Sequence, residues 1–233
     1  YFIFCFVFFN SVQSQVDFLE RAKQFTVVDS SVFYAEKQLE LSNLKADTAV
    51  IIETSQFLAR MYIEKLRYAK AEKIINSVLP LTRIKKDKSK EAICYLLLAN
   101  KNKSEGNELL AIQLYLKAYD MLEQIKDWTN LLRCDVDIAE YYRKIGKLKD
   151  AKIYINKAFV IYNDKKINNL PQLIRINNRA AAIENESNRL DSSIYYSQIA
   201  LKLCRQINDK NLEAVSLNEL GFTFKNLRKL VIA

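Results

Sequence analysis

Histidine is absent from this chain of 233 residues, and glycine and proline occur only 3 and 2 times. Without histidine, the chain lacks the commonest general base and the commonest neutral metal ligand. Glycine and proline break helices and mark turns, so their scarcity favours long helices joined by short connections. The 4 cysteines show neither the CxxC spacing nor the spacing of a metal site. We therefore expect a helical protein that binds no cofactor and no metal.

Positive charges outnumber negative ones, with 36 Lys and Arg against 27 Asp and Glu and a net charge of +9. Such an excess can indicate a nucleic acid or a membrane as partner. In this chain, however, charges of both signs alternate along the sequence, and no basic helix is interleaved with aromatic residues. We interpret the charges as a solvated surface and expect no nucleic acid to bind this span.

The first nine residues, YFIFCFVFF, are apolar, and small and polar residues follow them. A bilayer-spanning helix needs about twenty apolar residues, so this run is too short to cross a membrane. It is typical of the end of a secretory signal, with Val12-x-Ser14 as a cleavage site before Gln15. We interpret residues 1–14 as a truncated signal peptide, which predicts a periplasmic, extracytoplasmic protein. The alternative is a buried hydrophobic helix, which would leave the protein in the cytoplasm.

The remaining chain, residues 15–233, repeats itself every forty residues, and the clearest copy is Ile138–Ala158. Each copy contains two amphipathic patterns, a helix A and a helix B, with small residues where the two would touch. This period predicts an all-α fold, a right-handed α-solenoid of about five and a half helix pairs whose last repeat is incomplete. Turns are expected near residues 66, 106, 146 and 188. The small positions are Ala59, Ala99, Ala139, Ala181 and Gly221 on helix A, and Ser31, Ala71, Ala111, Ala151, Ser193 and Ala233 on helix B.

Two further patterns agree with this period. An Asp or Asn precedes each helix A, at Asp47, Asp87, Asp127, Asn169 and Asp209. These side chains can accept hydrogen bonds from the free N–H groups of a first helical turn. Cys94 and Cys134 are also forty residues apart, which places them roughly 9–10 Å from each other in neighbouring repeats. A disulfide needs Cα atoms within about 7 Å, so we predict buried free thiols.

The motif Ile138-Ala139-x-x-Tyr142, followed by Gly146, Ala151 and Ala158, resembles the tetratricopeptide repeat (TPR). The usual period of that family is 34. A period of forty is similar to the repeats of kinesin light chains, of bacterial peptide-sensing regulators, and of the N-terminal TPR region of Bacteroidetes-type sensor kinases and regulators. The resemblance implies a non-enzymatic domain that binds a protein or peptide, as the extracytoplasmic sensory part of a signalling protein. This chain departs from the motif at three positions: Asn102 and Glu184 replace the aromatic residue, and Val78 replaces the second alanine.

The sequence contains no recognisable nucleophile–base pair, phosphate-binding glycine loop or facing carboxylate pair, so no enzymatic activity is expected. The remaining candidate is the concave side of the solenoid, which the helix A faces line. Its basic residues predict a protein or peptide partner with acidic groups, and the resemblance implies that Asn178 and Asn218 hold a peptide backbone. The alternatives are a solvated polar face and a structural scaffold that binds through its convex face, with self-association possible. The predicted binding residues are Asn100, Lys103, Arg133, Val136, Arg143, Arg175, Asn178, Asn218 and Phe222.

Overall fold

The computed structural model describes residues 18–20, 22–23 and 28–232, so the predicted signal peptide lies outside the described residues. Within the described ranges every regular element is a helix, which confirms the all-α prediction. The predicted turns at residues 66, 106, 146 and 188 all separate consecutive helices. Residues 28–232 form α1 (Val28–Lys45), α2 (Thr48–Glu64), α3 (Tyr68–Ile84), α4 (Lys88–Ser104), α5 (Glu108–Gln124), α6 (Trp128–Lys144), α7 (Leu148–Asp164), α8 (Leu170–Glu186), α9 (Leu190–Gln206) and α10 (Lys210–Ile232).

The chain forms two compact units, Tyr1–Met121 and Leu122–Ala233, and each is described here by itself. Even-numbered helices are the helices A of the repeat, and odd-numbered helices are the helices B. In the first unit α2 packs against α3 and also against the next helix A, α4. In the second unit α6 packs against α7, α8 packs against α9, and α8 contacts both α6 and α10. None of the described helices is long and apolar enough to cross a membrane.

Small residues lie where helix A meets helix B, as the period predicts. Ala59 and Ala71 in the first unit, and Ala139 and Ala151 in the second, are all fully buried. In the second unit the surrounding core contains Leu132, Val136, Ile155, Ile176 and Ile183. A larger side chain at the alanine positions would overpack this contact, at a cost of about 1–3 kcal/mol.

The five residues predicted to cap the helices A all do so. Asp87 accepts a hydrogen bond from the backbone N–H of Lys90 at 2.9 Å, and Asp127 accepts one from Asn130 at 3.1 Å. Asp47, Asn169 and Asp209 make the equivalent bond in their own helices. Each cap satisfies a donor that the first helical turn leaves without an intrahelical partner.

Two of the three departures from the repeat motif, Asn102 and Glu184, are buried polar residues with local partners. Asn102 donates a hydrogen bond to the backbone oxygen of Leu98 at 2.8 Å. Glu184 forms an ion pair with Lys152 on helix B at 2.7 Å and another with Arg189. Cys94, Cys134 and Cys204 are buried and form no disulfide within the described residues, which agrees with the prediction for Cys94 and Cys134. Burial raises the pKa of Cys94 to about 11.

The last helix ends later than the sequence predicts. A turn was expected before Ala233, the predicted small position of a helix B, but α10 continues unbroken to Ile232. The earlier turns at Lys86 and Lys126 lack glycine too, and we infer that packing of the next helix stabilises those turns. No further helix follows α10 within the described residues, and the sequence after Phe224 contains no helix breaker.

Each inter-helix turn contains one residue in the left-handed region of φ. The backbone N–H after it bonds back to the end of the preceding helix, as when Lys147 donates to the oxygen of Tyr142 at 2.8 Å. Only two of these residues are glycine, and in non-glycine residues the left-handed conformation costs about 1–2 kcal/mol. Within 28–232 they are Ala46, Leu66, Lys86, Gly106, Lys126, Gly146, Lys166, Asn188 and Asn208.

This geometry predicts opposite effects for two substitutions. Gly146→Ala should lower the free energy of unfolding by about 1 kcal/mol, because alanine is strained at the φ of 75° that Gly146 adopts. The added Cβ would have no atom within 4 Å, so a steric clash does not contribute. Lys126→Gly should raise it by about 0.5–1 kcal/mol, because the relief of strain exceeds the entropy that glycine loses. Urea denaturation followed by circular dichroism measures both. Equal stability of Gly146→Ala and the parent protein would contradict the assignment.

Candidate functional site

The predicted binding residues of the second unit lie on three successive helices A. We call this surface the groove face. Val136 and Asn178 on it are buried, Arg133 and Arg143 are mostly buried, and Arg175 is exposed. Asn218 and Phe222 are also exposed, so the face offers polar, cationic and apolar groups to a ligand. The groove face comprises Arg133, Val136, Glu140 and Arg143 on α6, Arg175, Asn178 and Arg179 on α8, and Asn218, Glu219 and Phe222 on α10.

The two predicted residues of the first unit already have intramolecular partners. Asn100 Oδ1 accepts a hydrogen bond from the Tyr115 hydroxyl at 2.7 Å and another from Lys103 Nζ at 3.1 Å. The Lys103 ammonium also lies 5.8 Å from the centre of the Tyr115 ring. These contacts join α4 to its own helix B, α5, and hold both side chains in place. Their role in ligand binding stays a prediction.

Arg143 offers less free charge than the sequence predicts. Its guanidinium donates two hydrogen bonds to Glu140, at 2.7 and 3.0 Å, and also pairs with Glu186 on α8. Arg179 donates a further bond to Glu140 at 2.8 Å. The hydrogen bonds that Arg143 donates to Glu140, together with the charges of Glu140 and Glu186, raise the pKa of Arg143 above its usual range. This part of the groove face is therefore neutralised, and the predicted basic centre is smaller than expected.

Arg133 and Arg175 have a different environment. They occupy equivalent positions on α6 and α8, which pack against each other. Burial lowers the pKa of Arg133, and the positive charge of Arg175 lowers it further, while Asp137 opposes both effects. Neither arginine forms a salt bridge with a described residue. Of these two guanidinium groups, that of Arg175 is exposed, whereas that of Arg133 is largely buried and lies within the influence of the Asp137 carboxylate.

Asn178 and Asn218 occupy equivalent positions in adjacent repeats, but their surroundings differ. Asn178 is only 7% exposed, and its side-chain oxygen has no hydrogen-bond partner among the described residues. Asn218 is exposed on α10. A buried acceptor without a donor costs free energy, but this oxygen is itself buried, so a ligand N–H would reach it only after neighbouring side chains move.

Neither a protein-family model nor a curated protein matches this sequence. Solved structures, however, are similar in fold. BtubC (BKLC) from P. vanneervenii has a TM-score of 0.68 at 16% identity, with 86% of this chain and 84% of BtubC covered. A Rap protein complexed with competence and sporulation factor has a TM-score of 0.66 at 13% identity, with 94% of this chain and 66% of the Rap protein covered.

A third similar structure contains the TPR-like repeats of a putative kinesin light chain from Podosopora anserina. Its TM-score is 0.57 at 13% identity, with 85% of this chain and 96% of that one covered. At such identities the likeness concerns the fold alone. The fold is a TPR-like helical solenoid.

Below the groove face, the TPR-like core of the second unit contains an acid that sequence reasoning missed. Asp135 on α6 is 0% exposed, and neither carboxylate oxygen has a hydrogen-bond partner among the described residues. Burial raises the pKa of Asp135 to about 8, Lys157 lowers it and Glu123 raises it. An uncompensated buried carboxylate is unfavourable, so this group holds a proton at neutral pH. Asn177 occupies the equivalent position on α8 and is equally buried.

The sequence contained a signal for one ion pair of Arg143 but not for the other, nor for Asp135. Glu140 precedes Arg143 by three residues on the same helix, a spacing that favours an ion pair, whereas the pairing with Glu186 depends on how α8 packs against α6. The depth of Asp135 depends on how α7 covers α6, which no local pattern shows. Among the described residues no group of three Cys, Asp or Glu side chains is placed to hold a metal ion.

The environment of Asp135 predicts a pH-dependent stability of the second unit. Its pKa is raised from 3.8 to about 8, so the folded state keeps a proton that the unfolded state releases between those values. The contribution of Asp135 to the free energy of unfolding is therefore complete below the pKa of the unfolded state. It is lost by about 1 kcal/mol per pH unit as the pH rises towards the pKa of the folded state.

Urea denaturation at pH 5, 6, 7 and 8 tests this dependence. The stability of the parent protein relative to Asp135→Asn should fall steadily over the series, because asparagine does not titrate. Asn177→Asp should add a second dependence of the same sign at the equivalent position. Parallel stability curves for the parent protein and Asp135→Asn would show that Asp135 does not hold a proton in the fold.

Proposed function

We propose that this chain is a protein- or peptide-binding TPR-like domain that holds an extended segment of its partner on the groove face. The observation that carries the proposal is the set of exposed groups on that face. Asn218 and Arg175 are exposed, and Phe222 is 50% exposed. An amide, a cation and an aromatic ring on one face fit the backbone, the acidic groups and the apolar side chains of a peptide.

The structural likeness supports this choice of partner class. A Rap protein of similar fold was solved in complex with competence and sporulation factor, so a related arrangement of helices does hold a partner. The proposed binding is non-catalytic, because the groove face brings together ion pairs and amides rather than a nucleophile with a base. Charge-assisted hydrogen bonds from Arg175 to an acidic partner would stabilise the complex by about 1.5–3 kcal/mol.

We further propose that the domain is the extracytoplasmic sensory part of a signalling protein, as the apolar run at its start suggests. Produced in its own host, the protein should then begin near Gln15, because a signal peptidase cleaves after small residues. Mass spectrometry of the purified protein measures the first residue. Retention of Tyr1–Ser14 would contradict the extracytoplasmic assignment and leave the binding proposal unchanged.

A structural scaffold is the second candidate function, and it too has an observation in its favour. Helices B of the second unit expose apolar side chains: Ile153 and Val160 on α7 and Tyr195 on α9, each more than half exposed. Exposed apolar groups of this size often mark protein interfaces. Assembly through the helix B side would leave the groove face unused.

One matched pair of substitutions separates the two functions. Peptides are first selected from a phage-displayed random dodecapeptide library with the parent protein, and the affinity of a selected peptide is measured by calorimetry. Phe222→Ala should weaken binding about tenfold, because it removes apolar contact area on the groove face. Tyr195→Ala removes a similarly exposed ring (61% against 50%) from helix B and should bind like the parent protein.

Both variants should keep the parent melting temperature, because each ring is at least half exposed. Loss of binding in Tyr195→Ala with full binding in Phe222→Ala would replace the groove proposal with the scaffold. Failure to select any peptide would remove the support for peptide binding altogether.

A further inference from the structure

One edge of the first unit carries two exposed aliphatic side chains. Leu44 and Ile84 occupy equivalent positions in neighbouring repeats, near the ends of α1 and α3, and they are 79% and 74% exposed. Both helices pack against α2, and the short turns make each of them antiparallel to it, so their ends lie on the same edge of the unit. The aliphatic pair is specific to this edge, because the corresponding residues of the later helices B are polar: Gln124, Asp164 and Gln206.

The end of α3 also carries an excess of positive charge, although charges of both signs alternate over the whole chain. Residues 83–91 contain five Lys and Arg against two acids. Both acids already have partners, because Asp87 caps α4 and Glu91 forms ion pairs with two of the five cations. Lys85 and Lys86 are exposed and form no salt bridge with a described residue. Two cations therefore lie directly beside the aliphatic pair.

We call this surface the lysine edge; it comprises Leu44, Ile84, Lys85 and Lys86. Protein interfaces are depleted in lysine, and leucine is under-represented among their energetically important residues. A single-stranded nucleic acid stacks its bases on aromatic side chains, and none of these four residues is aromatic. An anionic lipid bilayer offers phosphates to the ammonium groups and, just below them, an apolar layer to the aliphatic side chains. The composition of the lysine edge thus favours a membrane surface.

We propose that the first unit docks on an anionic lipid membrane through the lysine edge. Leu44 and Ile84 enter the boundary between the headgroups and the acyl chains, where their exposed apolar surface leaves water. Lys85 and Lys86 lie at the level of the lipid phosphates and attract anionic headgroups. The groove face belongs to the second unit, so this inference does not depend on the proposed function.

Vesicle flotation with the full chain tests the proposal. The probes are unilamellar vesicles of phosphatidylcholine alone and of phosphatidylcholine with about one quarter phosphatidylglycerol, at about 0.1 M NaCl. The protein should bind the mixed vesicles at least tenfold more tightly than the neutral ones, because only the mixed vesicles attract the lysines. Raising the salt to about 0.5 M should weaken this binding, since it screens the attraction.

Ile84→Ser should weaken binding to the mixed vesicles about tenfold, because it removes an aliphatic side chain from the bilayer boundary. Leu109→Ser is the matched control and should bind like the parent protein. Leu109 is equally exposed, at 73%, but it lies at the start of a helix B and therefore on the opposite edge of the same unit. Both variants should keep the parent melting temperature, because both side chains are mostly exposed.

The charge contribution has its own pair of variants. Lys85→Gln combined with Lys86→Gln should weaken binding to the mixed vesicles at least tenfold. Lys147→Gln combined with Lys149→Gln removes two exposed lysines from the second unit and should bind normally. Equal losses in the two double variants would show adsorption through net charge alone and would overturn the assignment of the lysine edge.

Failure to bind the mixed vesicles, or equal losses in Ile84→Ser and Leu109→Ser, would overturn the proposal. Parent-like binding of Ile84→Ser would show that the aliphatic pair does not enter the bilayer. The remaining outcome concerns soluble polyanions. Binding of a DNA duplex or of polyglutamate in place of the vesicles, with the same dependence on Lys85 and Lys86, would assign the lysine edge to such a polyanion instead of a membrane.

Discussion

The close approach of each helix A to its helix B is the contact on which the other features of this fold depend. Fully buried residues such as Ala139 and Ala151 set that distance. Because the same contact recurs every repeat, successive helices A come to lie side by side, as α6, α8 and α10 do. The groove face exists only because these three helices are neighbours. A side chain that separates one pair would therefore disturb the groove face as well as the core.

Helix ends are the second constraint, and they explain how the chain forms tight turns with so few glycines. Aspartate or asparagine caps each helix A, and one left-handed residue ends the helix before each turn. Where that residue is lysine or leucine, packing of the flanking helices must outweigh its strain. Repeats are thus held by many contacts of modest strength.

The buried acidic residues of the second unit are of two kinds, those paired with a cation and those without one. Glu140 and Glu184 are buried but paired with cations, which compensates their desolvation. Asp135 has no such partner and keeps its proton. Arg133 and Arg175 form no salt bridge within the described residues, although Asp137 acts on Arg133. The same unit therefore contains compensated and uncompensated charges.

The period, the helix pairs, the alanine contacts, the caps and the buried thiols were all determined by the sequence, because each depends on residues at fixed separations along the chain. The charge of the groove face was decided by the tertiary structure. Arg143 looked like a free cation until α8 brought Glu186 beside it. Asp135 looked like an ordinary helix residue until α7 covered it. Burial and cross-helix pairing depend on distances between segments, and these distances exist only after the helices have packed.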